Sequence, residues 1–339
     1  MTSTQAAAVG DTLVTGHAAV RTALADARLV VPPVGPATAA DREQRTTAWL
    51  RTEAARFTDG EPHVRRRAFV ADRLAAIAPD SLRAAACAAT AAILDGRPGP
   101  VDVMAELARR VPLRVVGAAL GAGESDLDGL VAAVLRIAPA YQPGAPDHVV
   151  RRADAGVARA AAILGTGDDE RTANLVAVLV QTCDATAGLI GNTAVAALPA
   201  GPRAEGPAYP GVPVAALVHE TLRLDPPVRG TRRRAAAAVP ELGLPEGASV
   251  YLDFAGANRD PDVFADPDPH TFDPSRGRTA HLTFGHGLHR CPGRDHALAI
   301  ACGVLEPLLA GRRRRADTPV TYEPHPVLRI PARLVLDPR

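Results

Sequence analysis

The sequence predicts a mainly helical protein with a minor β part, an α+β fold class. Apolar residues recur at helical spacing through the first two thirds of the chain, and a stretch near 173–197 is apolar on almost all sides. Short strand-like runs broken by Pro and Gly follow Pro199. The 339 residues suffice for one large core or two ordinary ones. Because no linker or repeat is visible, we expect one domain over 1–339.

Amphipathic helices are expected along the first part of the chain, with Asp80 and Ser81 at one start and Asp102 at another. The longest helix, about 173–197, contains the polar residues Gln181 and Thr182. In a buried helix such residues either bond back to their own backbone or face a site. The other predicted helices are 16–28, 62–77, 81–94, 102–120, 127–138, 148–164, 213–223 and 294–309.

The chain after Pro199 mixes loops, strands and helices. A Pro/Gly-rich loop at 199–212 precedes the 213–223 helix, and strands are expected at 228–239 and 248–254. The Arg312–Arg315 run is interpreted as a solvated loop. The resulting organisation is helix-rich over 16–223, mixed β and loop over 224–283, a cysteine loop and last long helix over 284–309, and a β-like tail over 316–339.

Charge and cysteine content exclude several function classes. The 38 basic and 37 acidic residues nearly cancel, which disfavours a nucleic-acid or anionic-membrane partner. Four irregularly spaced cysteines without CxxC disfavour a disulfide framework or structural zinc site. No apolar run reaches the roughly 20 residues of a membrane span, and the N-terminal sequence lacks a signal-peptide pattern. We therefore expect a cytoplasmic protein.

The most informative segment is Phe284–Gly293, FGHGLHRCPG. Its first two glycines permit a tight turn, and Gly293 allows the next helix to approach another group closely. Cys291 precedes that helix, where free N–H groups and the helix dipole favour a thiolate. His289 and Arg290 add positive charge. The arrangement suits a cysteinate that ligates a metal, the alternative being a buried structural cysteine.

This segment resembles the cysteine loop of the cytochrome P450 haem-thiolate family, F-G-x-G-x-H-x-C-x-G. The six fixed positions are matched by Phe284, Gly285, Gly287, His289, Cys291 and Gly293. The resemblance implies haem b as cofactor and Cys291 as the axial ligand of its iron, a thiolate that favours O–O cleavage. It also implies the family's fold, a triangular helical prism around a buried haem with small β-sheets.

Other segments match further family motifs. Glu220 and Arg223 form E-x-x-R, an i,i+3 pair that in the family is structural; a surface ion pair is the alternative. His63 and Arg67 form H-x-x-x-R, which the resemblance implies contacts the haem propionates. Arg233 corresponds to a family arginine near the propionates, although its arginine neighbours leave the register open by one residue. His289 is a further propionate candidate.

The 173–197 helix corresponds to the family's distal helix above the iron. The usual pattern is small-Gly-x-acid-Thr-Thr, and this chain has Gln181-Thr182-Cys183-Asp184-Ala185-Thr186. The acid Asp184 and the second threonine, Thr186, are present. Ala185 replaces the first threonine, which in the family assists proton delivery and which alanine cannot do. The departure leaves the oxidant and the reaction type open.

The resemblance covers nearly the whole chain but is shortened at the N-terminus, and residues 12–29 look like the family's early strand–helix unit. The stretch from Tyr141 to Asn174 is short for the helices that cover the pocket. This implies either an open pocket for a bulky substrate, including one tethered to a carrier or peptide, or a compact pocket for a small one.

The implied activity is oxidation of a secondary metabolite, including antibiotic biosynthesis, with O2 and electrons from a ferredoxin. The ferredoxin is expected near Arg65, Arg66, Arg290 and Arg294, for which general solubility is the alternative role. A peroxide-using or non-hydroxylating enzyme, which performs coupling, desaturation or dehydration, is the second interpretation. A relative that binds haem or a ligand without turnover is the third.

Overall fold

Helices form most of the protein, as predicted. The structure is a computed structural model that describes residues 10–95, 97–198, 200, 208–277, 280–310 and 313–338. The helices are α1 His17–Ala25, α2 Ala39–Gln44, α3 Thr47–Glu53, α4 Gly60–Ala75, α5 Pro79–Asp95, α6 Arg110–Ala119, α7 Glu124–Tyr141, α8 Asp147–Leu164, α9 Asp169–Ala197, α10 Val214–Leu224, α11 Phe254–Ala257, α12 Pro261–Phe264 and α13 Arg294–Ala310.

The strands of the described residues form two small sheets. The first has the order β1-β5-β4-β2, with β1 parallel to β5 and the other pairs antiparallel; the second is antiparallel with the order β3-β7-β6. The strands are β1 Thr12–Val14, β2 Leu29–Val30, β3 Val101–Asp102, β4 Gly230–Ala235, β5 Ser249–Asp253, β6 Arg313–Arg315 and β7 Val335–Pro338.

Helix α9 is the centre of the helical part. It contacts α3, α4, α6, α7, α8, α10 and α13, and residues such as Val176, Leu179 and Ile190 are buried in the main apolar cluster. By length and composition α9 meets the requirements of a membrane span, yet 72% of that stretch is buried inside the protein. Its apolar surface is therefore covered by the neighbouring helices, as expected for a core helix.

Several boundaries differ from the sequence-based expectations. Helix α5 begins at Pro79, so Asp80 and Ser81 lie in its first turn instead of capping it. Asp102 is a true cap, because its carboxylate accepts the N–H groups of Met104 and Ala105. The predicted 102–120 helix starts as a π-helical turn, Val103–Ala108, before α6.

The β and loop assignments also need correction. Strand β4 is shorter than the predicted 228–239, and the predicted solvated loop at Arg312–Arg315 contains β6, with Arg312 outside the described residues. In the predicted loop 199–212, residues 199 and 201–207 also lie outside them. The early strand–helix unit over 12–29 is present as β1 and α1.

Candidate haem-thiolate site

The cysteine loop is fixed by its own backbone. The N–H of Cys291 donates to the carbonyl of Phe284 at 2.8 Å, which closes the loop ahead of α13. Gly285 and Gly287 have φ of +72° and +67°, the left-handed region that glycine adopts without strain. A Cβ on Gly287 would lie 2.7 Å from the Leu24 carbonyl oxygen. The glycines therefore let the loop turn and sit directly against α1.

Opposing effects act on the pKa of the Cys291 thiol. Burial is the largest effect and raises the pKa of Cys291 above its usual value. The backbone N–H of Gly293 and the charges of Arg67, Arg56 and Arg290 lower that pKa. Because burial prevails, the thiolate needs further positive charge, which a bound metal ion supplies by deprotonating a coordinating thiol.

A stripe of accessible residues interrupts the burial of α9. Val178, Thr182, Asp184 and Ala185 are partly exposed and Gln181 is exposed, whereas residues 177, 179, 180, 183 and 186 are buried. Gln181 Nε2 and Thr182 Oγ1 donate to Ala177 O and Val178 O at 3.0 and 2.9 Å. Both side chains thus bond back to their own helix and also face open space.

Asp184 and Thr186 differ from Ala185 in their surroundings. Asp184 Oδ1 lies 3.6 Å from Arg109 Nε, and Arg109 donates to Glu323 at 2.7 Å. Thr186 is buried, with 3% of its surface exposed. The acid is therefore held by an ion-pair chain leading to the C-terminal segment, and Ala185 presents only a methyl group on the accessible stripe.

Strand β4 settles which of three consecutive arginines points inward. Arg233 is buried, whereas Arg234 is exposed and Arg232 pairs with Asp11 at 2.9 Å. Burial and the nearby charge of Arg56 lower the pKa of Arg233 to about 10. Its Nη1 donates to Thr231 Oγ1 and Arg232 O, while Nε and Nη2 have no partner among the described residues.

Arg233 belongs to a cluster that brings distant segments together. His289 Nε2 lies 2.9 Å from Asp59 Oδ1, and the rings of His289 and His63 are 4.0 Å apart. Burial lowers the pKa of His289, against the effect of Asp59. The charge of Arg56 acts on both Arg233 and Cys291. Among the described residues of this cluster, the two guanidiniums of Arg56 and Arg233 stand against the carboxylate of Asp59, so the cluster favours an anionic group.

His63 and Arg67 lie near this cluster but have protein partners. His63 is buried, and its ring nitrogens lie 3.0 Å from Ala55 O and 3.3 Å from Leu288 O. Arg67 donates to the carbonyl of Arg290. Both side chains therefore fasten α4 to the cysteine loop, and their predicted role toward propionates stays a prediction.

The E-x-x-R pair is buried. Arg223 and Glu220 have 0% and 1% of their side chains exposed, and Arg223 donates to both carboxylate oxygens at 2.9 and 2.6 Å. Arg223 also donates to the carbonyls of Asn258, Pro269 and Thr271. The surface alternative is therefore excluded, because the pair ties α10 to the segment after β5.

The docking arginines expected for a ferredoxin are only partly available. Arg66 is buried and pairs with Glu53 and Glu170 at 2.7 and 2.8 Å, so it cannot meet a partner. Arg65 is exposed but pairs with Glu170 on one side. Arg290 is exposed, and the Arg294 guanidinium lies over the Phe284 ring.

The donor set fits a flat, dianionic cofactor with a metal centre. A Cβ on Gly293 would have Leu74 Cδ1 as its nearest neighbour, at 3.7 Å, so no protein atom requires a glycine there. Arg233 has free donors in a buried position, as the carboxylates of haem b require. A thiolate at Cys291 would supply a soft ligand for the metal. These are the donors that a haem-thiolate protein requires.

Comparisons with known proteins agree with this class. Residues 214–301 match the family model for cytochrome P450. The chain is 30% identical over 266 residues to cytochrome P450 107B1 of Saccharopolyspora erythraea, covering 70% of this chain and 64% of that protein. It is 29% identical to 6-deoxyerythronolide B hydroxylase of the same organism, covering 84% and 78%. The chain belongs to the cytochrome P450 family, whose members use haem b.

The fold is that of the family. The structure of P450BioI in complex with a hexadec-9Z-enoic acid-ligated acyl carrier protein superposes with a TM-score of 0.81, covering 96% of this chain and 92% of that one at 20% identity. In the sequence comparisons, the chain spans less than two thirds of the length of cytochrome P450 107B1. It spans 78% of the length of 6-deoxyerythronolide B hydroxylase. The expected prism of helices with small sheets is confirmed.

Sequence reasoning missed two residues of the site. Arg56 follows α3, and its charge acts on Cys291 and Arg233. Asp59 precedes α4 and contacts His289, far away in sequence. Asp59 also accepts the N–H of Val31 at 2.9 Å. No local pattern connects these positions with His289. An Asp just before a helix start, such as Asp59, could have marked a place where polar side chains meet.

Proposed function

We propose that the protein is a haem-thiolate monooxygenase that oxidises an organic small molecule in the cytoplasm, as a tailoring enzyme of secondary metabolism. The observation that carries this proposal is the loop that presents Cys291 beside the Gly293 N–H and a cluster of cations. One relative is named a 6-deoxyerythronolide B hydroxylase, and this hydroxylation of an organic molecule supports the proposal.

The residues of this chain hold and tune the haem. Cys291 binds the iron as a thiolate, and the Gly293 N–H stabilises the charge on its sulfur. Arg233 and His289, with Arg56 and the predicted pair His63 and Arg67, hold the haem carboxylates. When bound, the haem supplies the reductive activation of dioxygen. In this proposal, Phe284 and Gly293 leave space for one face of the haem ring.

The distal side binds the substrate and handles protons. The accessible stripe of α9 presents the Gln181 amide and Ala185 to the pocket. Because Ala185 has no hydroxyl, proton delivery in this proposal uses Asp184 with Thr182 or Thr186, ordered water or a hydroxyl of the substrate. Gln181, one helical turn before Ala185, holds the polar part of the substrate or that water.

In this proposal, the electrons come from a ferredoxin.

The substrate is proposed to be bound to a carrier domain. One helix, α8, fills the chain between Tyr141 and the start of α9, and only residues 165–168 join the two helices. Because the segment that covers the pocket is this short, a substrate carried on a flexible arm can enter. The complex of P450BioI with a fatty-acid-ligated acyl carrier protein supports a carrier-bound ligand for this fold.

Ala185 favours a second candidate, a peroxide-using or non-hydroxylating haem-thiolate enzyme. The methyl group of Ala185 on the accessible stripe donates no proton for reaction with dioxygen, whereas peroxide already carries its protons. Coupling, desaturation or dehydration belong to this candidate.

Spectroscopy followed by turnover tests the proposal. The haem-loaded protein is expected to show the thiolate signature in its ferrous–CO spectrum and a spin shift with substrate. Turnover with ferredoxin and NAD(P)H, and none with peroxide, supports the monooxygenase; the reverse supports the second candidate. A protein with neither the thiolate signature nor a spin shift would be a ligand-binding relative, and the proposal would be wrong.

A further inference from the structure

A basic groove crosses the outer surface of helices α7 and α8. It has a volume of about 510 Å³ and is lined by Arg136 of α7 and by His148, Arg151, Arg152 and Ala155 of α8. We call it the α7–α8 groove. The four basic residues are exposed.

Backbone packing fixes the shape of the α7–α8 groove. A Cβ on Gly156 would lie 2.7 Å from the carbonyl oxygen of Ala133 and 3.3 Å from the Cβ of Arg136. The backbone of α8 therefore touches α7 at this crossing. Arg152 precedes Gly156 by one helical turn and so emerges on the same face, beside Arg136. The basic side chains thus project from two rigid elements.

Carboxylates do not neutralise the α7–α8 groove. Within the described part of the chain, Arg136, Arg151 and Arg152 form no ion pair. Asp154 on α8 faces α3 instead, where its Oδ1 accepts the N–H and hydroxyl of Thr47 at 2.8 and 2.7 Å. Asp147, the first residue of α8, is exposed at the end of the helix.

Other arginines around this helix pair have partners. Arg159 of α8 lies across Gly129 and pairs with Asp126 of α7 at 3.1 Å. Arg114 of α6 pairs with Glu124 and Asp128. Three guanidiniums left unpaired side by side repel one another and attract an anionic partner.

We infer that the α7–α8 groove binds an acyl carrier domain, through its acidic surface and the phosphate of its phosphopantetheine arm; the inference rests on the proposed carrier-bound substrate. Guanidinium groups bind phosphate oxygens in a fork of parallel hydrogen bonds. The arginine stems and Ala155 give the groove an apolar floor that suits the rest of the arm.

The position of α7 links the groove to the interior. Its last residue, Tyr141, packs edge-on against Phe57 with ring centroids 5.1 Å apart, and Phe57 follows Arg56 of the cation cluster. The Arg51 side chain donates to the carbonyls at this end of α7. The end of α7 therefore contacts the residue next to Arg56.

Binding of a purified carrier tests the inference. The haem-loaded enzyme is titrated at low ionic strength with a bacterial fatty-acid acyl carrier protein, in the holo form with the phosphopantetheine arm and in the apo form. The groove variant is Arg151→Gln/Arg152→Gln. The control, Arg114→Gln/Arg159→Gln, loses the same charge from paired arginines nearby.

The groove variant is expected to bind holo carrier at least about tenfold more weakly, with the control within about twofold of wild type. Wild type is expected to bind holo carrier more tightly than apo carrier. Absence of wild-type binding, or equal binding by both variants, would overturn the inference. Loss of ferredoxin-supported haem reduction in the groove variant, with carrier binding unchanged, would assign the groove to the electron donor and overturn it too.

A ferrous–CO spectrum of each sample separates this inference from the proposed function. A normal thiolate spectrum without carrier binding refutes the groove alone. Carrier binding that depends on the groove, in a protein lacking the thiolate signature, refutes the proposed activity alone.

Discussion

Glu220→Gln is predicted to destabilise the protein strongly, because Glu220 is the carboxylate for two buried guanidiniums. It accepts hydrogen bonds from Arg223 Nε and Nη2 at 2.9 and 2.6 Å, and its carboxylate lies 3.7 Å from Arg276 Nε. It also accepts the N–H of Asp273 at 2.9 Å. The Arg223 and Arg276 side chains have 0% and 5% of their surface exposed, so water cannot replace the lost charge.

The magnitude follows from this burial. Removing one partner of a buried ion pair costs about 3–5 kcal/mol, and the second guanidinium places Glu220→Gln toward the upper end. Arg223 keeps its bonds to the carbonyls of Asn258, Pro269 and Thr271, which prevents a larger loss. The exposed Glu124 beside Arg114 provides the control, and Glu124→Gln is expected to cost less than about 1 kcal/mol.

Urea denaturation followed by far-UV circular dichroism measures both variants in the haem-loaded protein. The free energy of unfolding of Glu220→Gln should fall several times further than that of Glu124→Gln. Equal small losses would refute the reasoning, since they would mean that Arg223 and Arg276 reach solvent or another carboxylate.

Three further predictions use other parts of the structure. Gly287→Ala should lose more than about 2 kcal/mol of stability because its Cβ meets the Leu24 carbonyl, whereas Gly285→Ala should lose only about 1 kcal/mol from its left-handed φ; equal losses in urea would contradict this. Arg65 and Arg66 lower the pKa of Glu170 to about 2, so its stabilisation is complete above its usual pKa of 4.5 and is lost as the pH falls toward 2. Glu170→Gln should therefore be about 1–2 kcal/mol less stable than wild type at pH 7 and converge with it in acid; a pH-independent difference in unfolding midpoint would contradict this. Ala185→Thr should raise the fraction of electrons used for product if proton delivery limits turnover, and an unchanged or lower fraction would show that substrate or another residue fills that role.

Local patterns were sufficient for much of the helical part and for the cysteine loop. Helix α9 and the loop around Cys291 depend on periodicity, glycine and the cysteine itself, all of which are visible in sequence. Helices α2 and α3 were missed because they have six and seven residues, too short for a clear period. Thr38 and Thr46 cap their N-termini, and the side chains of these threonines accept backbone N–H groups.

The polar site could be predicted only in part. The inward arginine of β4 was uncertain in sequence because three arginines follow one another, and only the pairing of β4 with β5 and β2 selects Arg233. The contact of His289 with Asp59 joins residues 230 positions apart. Such contacts depend on tertiary packing, which no local pattern contains.

The ferrous–CO spectrum of Cys291→Ser tests the central claim, that this sulfur binds the haem iron, most directly. The structure places Cys291 at the closed loop before α13, with the Gly293 N–H directed at its sulfur. Because serine is a harder and less electron-donating ligand, the variant is expected to lose the thiolate signature that wild type shows. A Cys291→Ser protein that keeps the wild-type thiolate spectrum would contradict the assignment.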